Sequence, residues 1–202
     1  MLLMVYRFSR RAVLLSLLPL AASCSLAGRE VEPDLPIGRV SGGNTLVCRA
    51  DGLPVVAHND SSFGTVLISV LAFFGDPRPV ASKLTAGNEL RIRAYDSQNV
   101  PVAGQKAHAL YLVAPGFRGV GTYALAAPES YYQETLQTNA VNNLPRPVTF
   151  NPAPSATPQL TVTEWNTTTR HLVGTFAFTA TAPGTGQTVA LTEGRFDVIV
   201  DQ

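Results

Sequence analysis

The chain has 202 residues, 15 Lys+Arg against 14 Asp+Glu, and only 14% charged residues. It is long enough for one sizeable core, and it lacks the basic excess that nucleic-acid binding demands. With so few charges, a soluble surface must rely on Thr, Ser, Asn and Gln, which suits an exported β-protein.

The first 23 residues read as an export leader. Arg7, Arg10 and Arg11 form a positive n-region, and Ala12 to Leu20 form a short apolar h-region interrupted by Pro19. Ala21-Ala22-Ser23 then supply the small residues a signal peptidase requires. The apolar stretch falls short of the roughly 20 residues needed to span a bilayer. An Arg cluster followed by Leu-rich sequence at the N-terminus favours export over a buried core helix. Removing residues 1–23 takes three Arg, which leaves 12 Lys+Arg against 14 Asp+Glu, a net −2.

Cys24 directly follows Ala21-Ala22-Ser23, the arrangement of a bacterial lipobox, and is expected to be the lipidated N-terminus. The match departs from the usual pattern in having Ala21 where Leu is commoner, with Leu20 one step earlier. Ala21 and Ser23 equally suit an ordinary signal peptidase, so a soluble secreted product is the alternative. If Cys24 carries lipid, Cys48 is left unpaired. Its neighbours Leu46 and Val47 look like a strand, which predicts a buried, inert thiol. A Cys24–Cys48 disulfide is the rival in a soluble product. Neither version makes Cys48 a nucleophile, because no sequence pattern pairs it with a base or a local positive charge that would activate it. Residues 24–43 hold Gly28, Pro33, Pro36, Gly38, Gly42 and Gly43 without periodicity, and are expected to form a flexible tether.

From residue 44 to 202 the expectation is a single all-β domain, an antiparallel β-sandwich or flattened barrel of about 8 to 10 strands. Thr45–Ala50 and Leu53–Ala57 flank Asp51-Gly52, a strong hairpin signal. Gly64–Gly75 is a nearly continuous apolar run and reads as a central strand rather than a buried helix. Glu89–Tyr95 alternates Leu90, Ile92 and Ala94 against Arg91, Arg93 and Tyr95. Ala107–Val113, Gly119–Ala126 and Leu160–Trp165 are further strands, and Ser130–Thr138 is a strand or short helix, with the strand preferred. Asn139 to Pro158 contains five prolines and is expected to be the longest loop.

The chain closes on a hairpin, His171 to Val200. Leu172, Gly174, Phe176, Phe178 and Ala180 share one parity, and Val173, Thr175, Ala177, Thr179 and Thr181 take the other. A period of two then places the Phe face on a core and the Thr face toward water. In the second arm Val189 and Leu191 have one parity, Phe196, Val198 and Val200 the other. One extra residue at Glu193-Gly194, a β-bulge, would restore a single inward face and aim Arg195 and Asp197 outward.

The run Gly174-Thr-Phe-Ala-Phe-Thr-Ala with Thr188-Val-Ala-Leu-Thr-Glu-Gly-Arg-Phe-Asp197 resembles a family of Bacteroidetes lipoproteins of unassigned activity. Those proteins end in a GTFxFxA…TVxITxGxFD hairpin after a lipoprotein signal. The resemblance is strongest over roughly the last 30 residues. It implies the fold, the compartment and firm anchoring at Cys24 through several acyl chains, where one chain alone gives only marginal membrane binding.

No pattern for chemistry stands out. His58, His108 and His171 are far apart and lack the spacing of a zinc site. Asp51, Asp60, Asp76 and Asp96 lie near expected turns, with no calcium loop. There is no Gly-x-Ser-x-Gly elbow. Gly116, Gly119 and Gly121 around Arg118 lead into a strand, whereas a phosphate loop needs a helix N-terminus. Glu129 and Glu134 are solvated loop residues rather than a glycosidase pair. No metal, cofactor or catalytic residue is therefore expected. Among the aromatics, which include Tyr111 and Tyr123, the residues Tyr131, Tyr132 and Trp165 are the candidate binding surface, set against core packing as the bland reading. The sequons at Asn59 and Asn166 read as polar turns.

The functional expectation is an exported, lipid-anchored cell-envelope protein of the outer membrane that binds or scaffolds without catalysis. Its partners would be the membrane through Cys24 and an envelope protein or glycan. A β-barrel carrier of a small apolar or sugar ligand is the alternative, and an exported hydrolase comes third.

Overall fold

The computed structural model describes residues 44–59, 78–96, 106–136, 147–153 and 157–201. The leader, Cys24, the tether and the apolar run Gly64–Gly75 lie outside the described residues. The rest is all-β, with eleven antiparallel strands, one more than the upper end expected. They are β1 (Thr45–Ala50), β2 (Leu53–His58), β3 (Val80–Leu84), β4 (Leu90–Tyr95), β5 (Lys106–Ala114) and β6 (Gly121–Ala124). β7 (Tyr131–Leu136), β8 (Pro147–Pro152), β9 (Gln159–Asn166), β10 (His171–Thr181) and β11 (Thr188–Ile199) follow.

Local chemistry accounts for most of these elements. Asp51 and Gly52 have φ of 49° and 84°. Two successive positive-φ residues make the turn whose twist matches a right-handed hairpin. The Asp51 carboxylate also accepts from the Ala190 amide at 2.8 Å, extending the ladder toward β11. Thr167–Arg170 turn as the sequence suggests, with Asn166 Oδ1 accepting from the amides of Thr168 (2.9 Å) and Thr169 (3.0 Å).

The closing hairpin keeps the expected faces. Leu172, Phe176, Phe178 and Ala180 are buried, while Thr175, Ala177 and Thr179 are exposed. On β11 the buried set runs Val189, Leu191, then Phe196, Val198 and Val200. The change of parity is a bulge. Phe176 pairs Gly194 and Phe178 pairs Leu191, so Ala177 faces both Thr192 and Glu193. On the other flank Val47 pairs Arg195 and Arg49 pairs Thr192, so Cys48 faces Glu193 and Gly194. Glu193 is common to both and takes a φ of 53°. Arg195 is exposed and Asp197 only partly buried, both on the outward side.

The strand order is β2-β1-β11-β10-β8-β7-β5-β4-β3, with β9 on β10 and β6 on β9. β10 forks the sheet: His171–Ala177 pair with β9, and Ala180–Thr181 pair with β8. The two ends of the order, β2 and β3, are brought together by one side chain. Asn59 Nδ2 donates to Val80 O and Asn59 Oδ1 accepts from Val80 N, both at 2.8 Å. β3 also meets the end of the chain: Asp201 N donates to Ser82 O at 2.8 Å, and Ser82 Oγ donates to Ile199 O at 3.0 Å. The result is a nearly closed barrel around one apolar core.

Asn59 is thus a closure device as well as a polar residue after a strand. Asn59→Ala removes two hydrogen bonds to backbone groups with few other partners available. It is expected to cost about 1–3 kcal/mol, read from the urea midpoint; an unchanged midpoint would show that this closure contributes nothing.

β8 corrects the sequence reading. Pro147–Pro152 lies inside the stretch expected to be a loop, yet it pairs with β7 from Thr135↔Pro147 to Tyr132↔Phe150. Pro147 is tolerated there because β8 meets β10 only at Asn151 and Pro152, and beside Pro152 it is the Ala153 amide that donates to Thr179 O, at 2.9 Å. β3 is likewise an edge strand that the sequence did not announce.

Candidate functional site

Alternation along β4, β5 and β7 sends every second side chain to the outside of the barrel. Arg91, Arg93 and Tyr95 of β4 therefore share a face with Tyr111 of β5 and with Tyr131 and Gln133 of β7, all half-buried. Cross-strand register joins them into rows. Ala81, Arg93, Tyr111 and Tyr131 stand side by side across four strands, and Tyr95, Ala109, Gln133 and Thr149 form the next row.

Within these rows Tyr111 and Tyr131 stack at 5.5 Å between ring centroids, with planes 25° apart. The Arg93 guanidinium lies 5.3 Å from the centre of the Tyr95 ring, a cation–π contact. Arg91 is ion-paired with Glu89 and also hydrogen-bonds Tyr111, and these contacts raise its already high pKa further. Partial burial pushes the Tyr131 phenol above its ordinary value, with Arg93 pulling the other way. Gln133 Nε2 donates to Thr149 Oγ1 at 3.1 Å. A half-buried aromatic and cationic face results, with amide and hydroxyl groups beside it.

The inward parity of the same strands builds a different cluster at one end of the barrel. Tyr132 has no exposed surface, and its hydroxyl lies 2.6 Å from His108 Nδ1 and 3.2 Å from Glu134 Oε1. A phenol has one proton to give, so with Tyr132 donating to Glu134 the imidazole carries its proton on Nδ1. The two rings stack at 5.9 Å. Glu134 is further ion-paired with Lys106. Burial holds the His108 pKa below its usual value, against Asp96 and Glu134, which favour the cation. Burial and Glu134 push the Tyr132 phenol far up, so it stays protonated.

The sequence candidates separate on this geometry. Tyr131 and Tyr132 are adjacent on one strand and so face opposite ways: Tyr131 outward against Tyr111, Tyr132 into the core. Tyr132 offers no ring to a surface ligand. Trp165 sits on β9, packed edge-on against Phe117 at 5.5 Å and partly buried against the core. The three do not form one platform. Tyr123 serves the same corner, its hydroxyl donating to Gly119 O at 2.7 Å. Tyr111, Arg91 and Arg93 are the residues the aromatic list lacked or left unplaced. Their signal was the clean alternation of β4 and β5, which already puts Arg91, Arg93, Tyr95 and Tyr111 outside.

Comparison with protein-family models, curated proteins and solved structures gives no match. The assignment of a site therefore rests on these residues.

Cys48 is a free thiol buried in β1, its pKa pushed up to about 12 by burial and then by the Asp96 charge. It is protonated at neutral pH and is no nucleophile. Glu134, expected in a solvated loop, is instead on β7, with its side chain 17% exposed. His171 Nε2 lies 2.6 Å from Asp197 Oδ1 on the outer face of β10 and β11. Among the described residues no three His, Cys, Asp or Glu side chains converge as metal ligands. A polar trough of about 400 Å³ opens over the β11 bulge, between Thr161, Thr175, Glu193 and Arg195. Glu193 is there paired with Arg49 at 3.4 Å.

Proposed function

We propose that this chain is an exported, lipid-anchored cell-envelope protein whose all-β domain binds a partner and performs no chemistry. The binding reading rests on one observation, the stacked Tyr111–Tyr131 pair set beside Arg91 and Arg93 on the outer face of β4, β5 and β7. Rings already fixed against each other on a sheet are suited to contact, since little side-chain freedom remains to be lost on binding. The envelope reading is supported by the Arg-rich leader, the small residues before Cys24 and the similarity to the Bacteroidetes lipoproteins. Cys24 would be the anchor and residues 24–43 the tether.

Intact mass and membrane partitioning, measured for the protein made with its own leader beside a Cys24→Ala variant, test this. The wild type is expected to carry a diacylglycerol-sized addition and to partition to membrane, and the variant to do neither. A soluble, unmodified wild type would instead make this a secreted binding protein.

A further inference from the structure

We propose that β6 is a self-pairing edge, through which two copies of this chain join antiparallel about a twofold axis at Tyr123. This surface is separate from the tyrosine face described above and does not depend on that reading. β6 is laddered on one side alone, to β9. The bonds at its end fix which of its groups turn outward. Leu125 N donates to Pro158 O at 2.9 Å, so Leu125, Tyr123 and Gly121 aim their backbone groups at β9. Thr122 and Ala124 turn theirs the other way, and Ala126, of the same parity, donates to Val113 O at 2.8 Å. Both Thr122 and Ala124 are exposed, and among the described residues their amides and carbonyls have no backbone partner on that side.

Such edges are usually blunted by Lys, Pro, a bulge or a cover. β3 is covered: Asn59 takes both backbone groups of Val80, and Asp201 N takes Ser82 O. β6, Gly-Thr-Tyr-Ala, carries no charge, no proline and no register shift. Thr122 and Ala124 each offer one N–H and one C=O, and a second β6 matches that set. With Thr122 opposite Ala124 of the second copy, each residue gives its N–H and receives at its C=O, and the twofold repeats this in the other half. A register one pair further toward the C-terminus would set Thr122 against Ala126, whose amide is already given to Val113.

The side chains agree with this pairing. On the outer face Thr122, Thr161 and Thr175 stand in one row, and Ala124, Gln159 and Ala177 in the next. No like charges on β6 oppose each other across the pair. Arg118 lies just before β6 and Glu129 just after it, both exposed, and among the described residues neither side chain has an ionic partner. Antiparallel pairing brings the start of each β6 to the end of the other. Arg118 of one copy therefore meets Glu129 of the second at both ends, a charge match that selects a second copy over an unrelated strand.

The test uses the exported chain carrying Cys24→Ala, which has no site for lipid. Sedimentation equilibrium is expected to show monomer and dimer, half-associated at roughly 100 μM. Above that concentration, amide exchange at Thr122 and Ala124 should slow several-fold. Thr122→Pro, which removes an outward N–H that the monomer does not use, should weaken dimerisation at least about tenfold. Arg118→Glu should weaken it about tenfold, and Arg118→Glu/Glu129→Arg should restore it. Melting curves of the variants check that the barrel is intact.

A chain that stays monomeric to about 1 mM would overturn the proposal and leave the edge to solvent or to another protein. Slow exchange at Thr122 and Ala124 in that monomer would show the edge covered from within the chain, and overturn it equally. A dimer untouched by Thr122→Pro would place the contact elsewhere and overturn it. So would a loss in Arg118→Glu that the double swap does not recover, since the twofold register requires that recovery.

Discussion

Gly174→Val is expected to be the most damaging single change to the closing hairpin. A Cβ at Gly174 would lie 2.3 Å from Phe196 Cζ and 2.3 Å from the Thr161 carbonyl oxygen. The ring has some freedom to turn, but the carbonyl belongs to β9 and is fixed by the β9–β10 ladder. That ladder already shifts register here, between Val173 and Gly174. Even Gly174→Ala should therefore cost about 3 kcal/mol, and valine more. For a chain of this size that lowers the melting temperature by roughly 6–12 °C.

Gly194→Ala should behave similarly, because its Cβ would meet the Phe176 carbonyl oxygen at 2.4 Å. Gly87→Ala is the control, since its nearest atom would be 3.9 Å away, and a change of well under 1 kcal/mol is expected. Denaturant unfolding of the three variants decides the matter. Equal midpoints for Gly174→Ala and Gly87→Ala would mean that β9 and β10 do not approach as described.

Tyr132→Phe should expose the energetics of the buried polar chain. The substitution keeps the ring and removes the hydroxyl, leaving His108 Nδ1 and Glu134 Oε1 without that partner inside the barrel. A loss of about 1–3 kcal/mol is expected at neutral pH. The same chain makes stability depend on pH. Burial holds the His108 pKa below the ordinary 6.5, so as pH falls the unfolded chain takes up the proton first. The stabilisation is complete above about 6.5 and drains away as the pH drops through the unfolded and then the folded value.

The groups facing His108 modulate this: Asp96 and Glu134 favour its protonation and Lys106 opposes it. The urea midpoint should fall from pH 7.5 to 5, and less steeply in His108→Gln. An equal slope in that variant would assign the acid sensitivity to other groups.

The chain's local chemistry determined much of this fold. Asp51-Gly52 needs two positive-φ residues and forms the hairpin the dipeptide implies. The Leu90-Ile92-Ala94 alternation and the Phe-in, Thr-out pattern of β10 both survive in three dimensions. The parity break in β11 forced an extra residue, and the structure places it at Glu193. All of these are decided within a few residues, by period-two geometry and by which residues tolerate a turn or bulge.

What the tertiary structure decided is who stands beside whom. β8 was hidden because proline suppresses any strand signal, and only its incomplete second edge explains why Pro147 is tolerated. Asn59 closes the barrel by reaching Val80, 21 residues away. Tyr131 and Tyr132 have opposite parities in the sequence, but which one meets water depends on which side of the sheet the core occupies. Tyr111 and Tyr131 become a stacked pair because β5 and β7 are neighbours across the excursion to β6, and His108 meets Tyr132 and Glu134 by the same register. Pairing between strands is set by burial over long sequence separations, and no local periodicity carries that information.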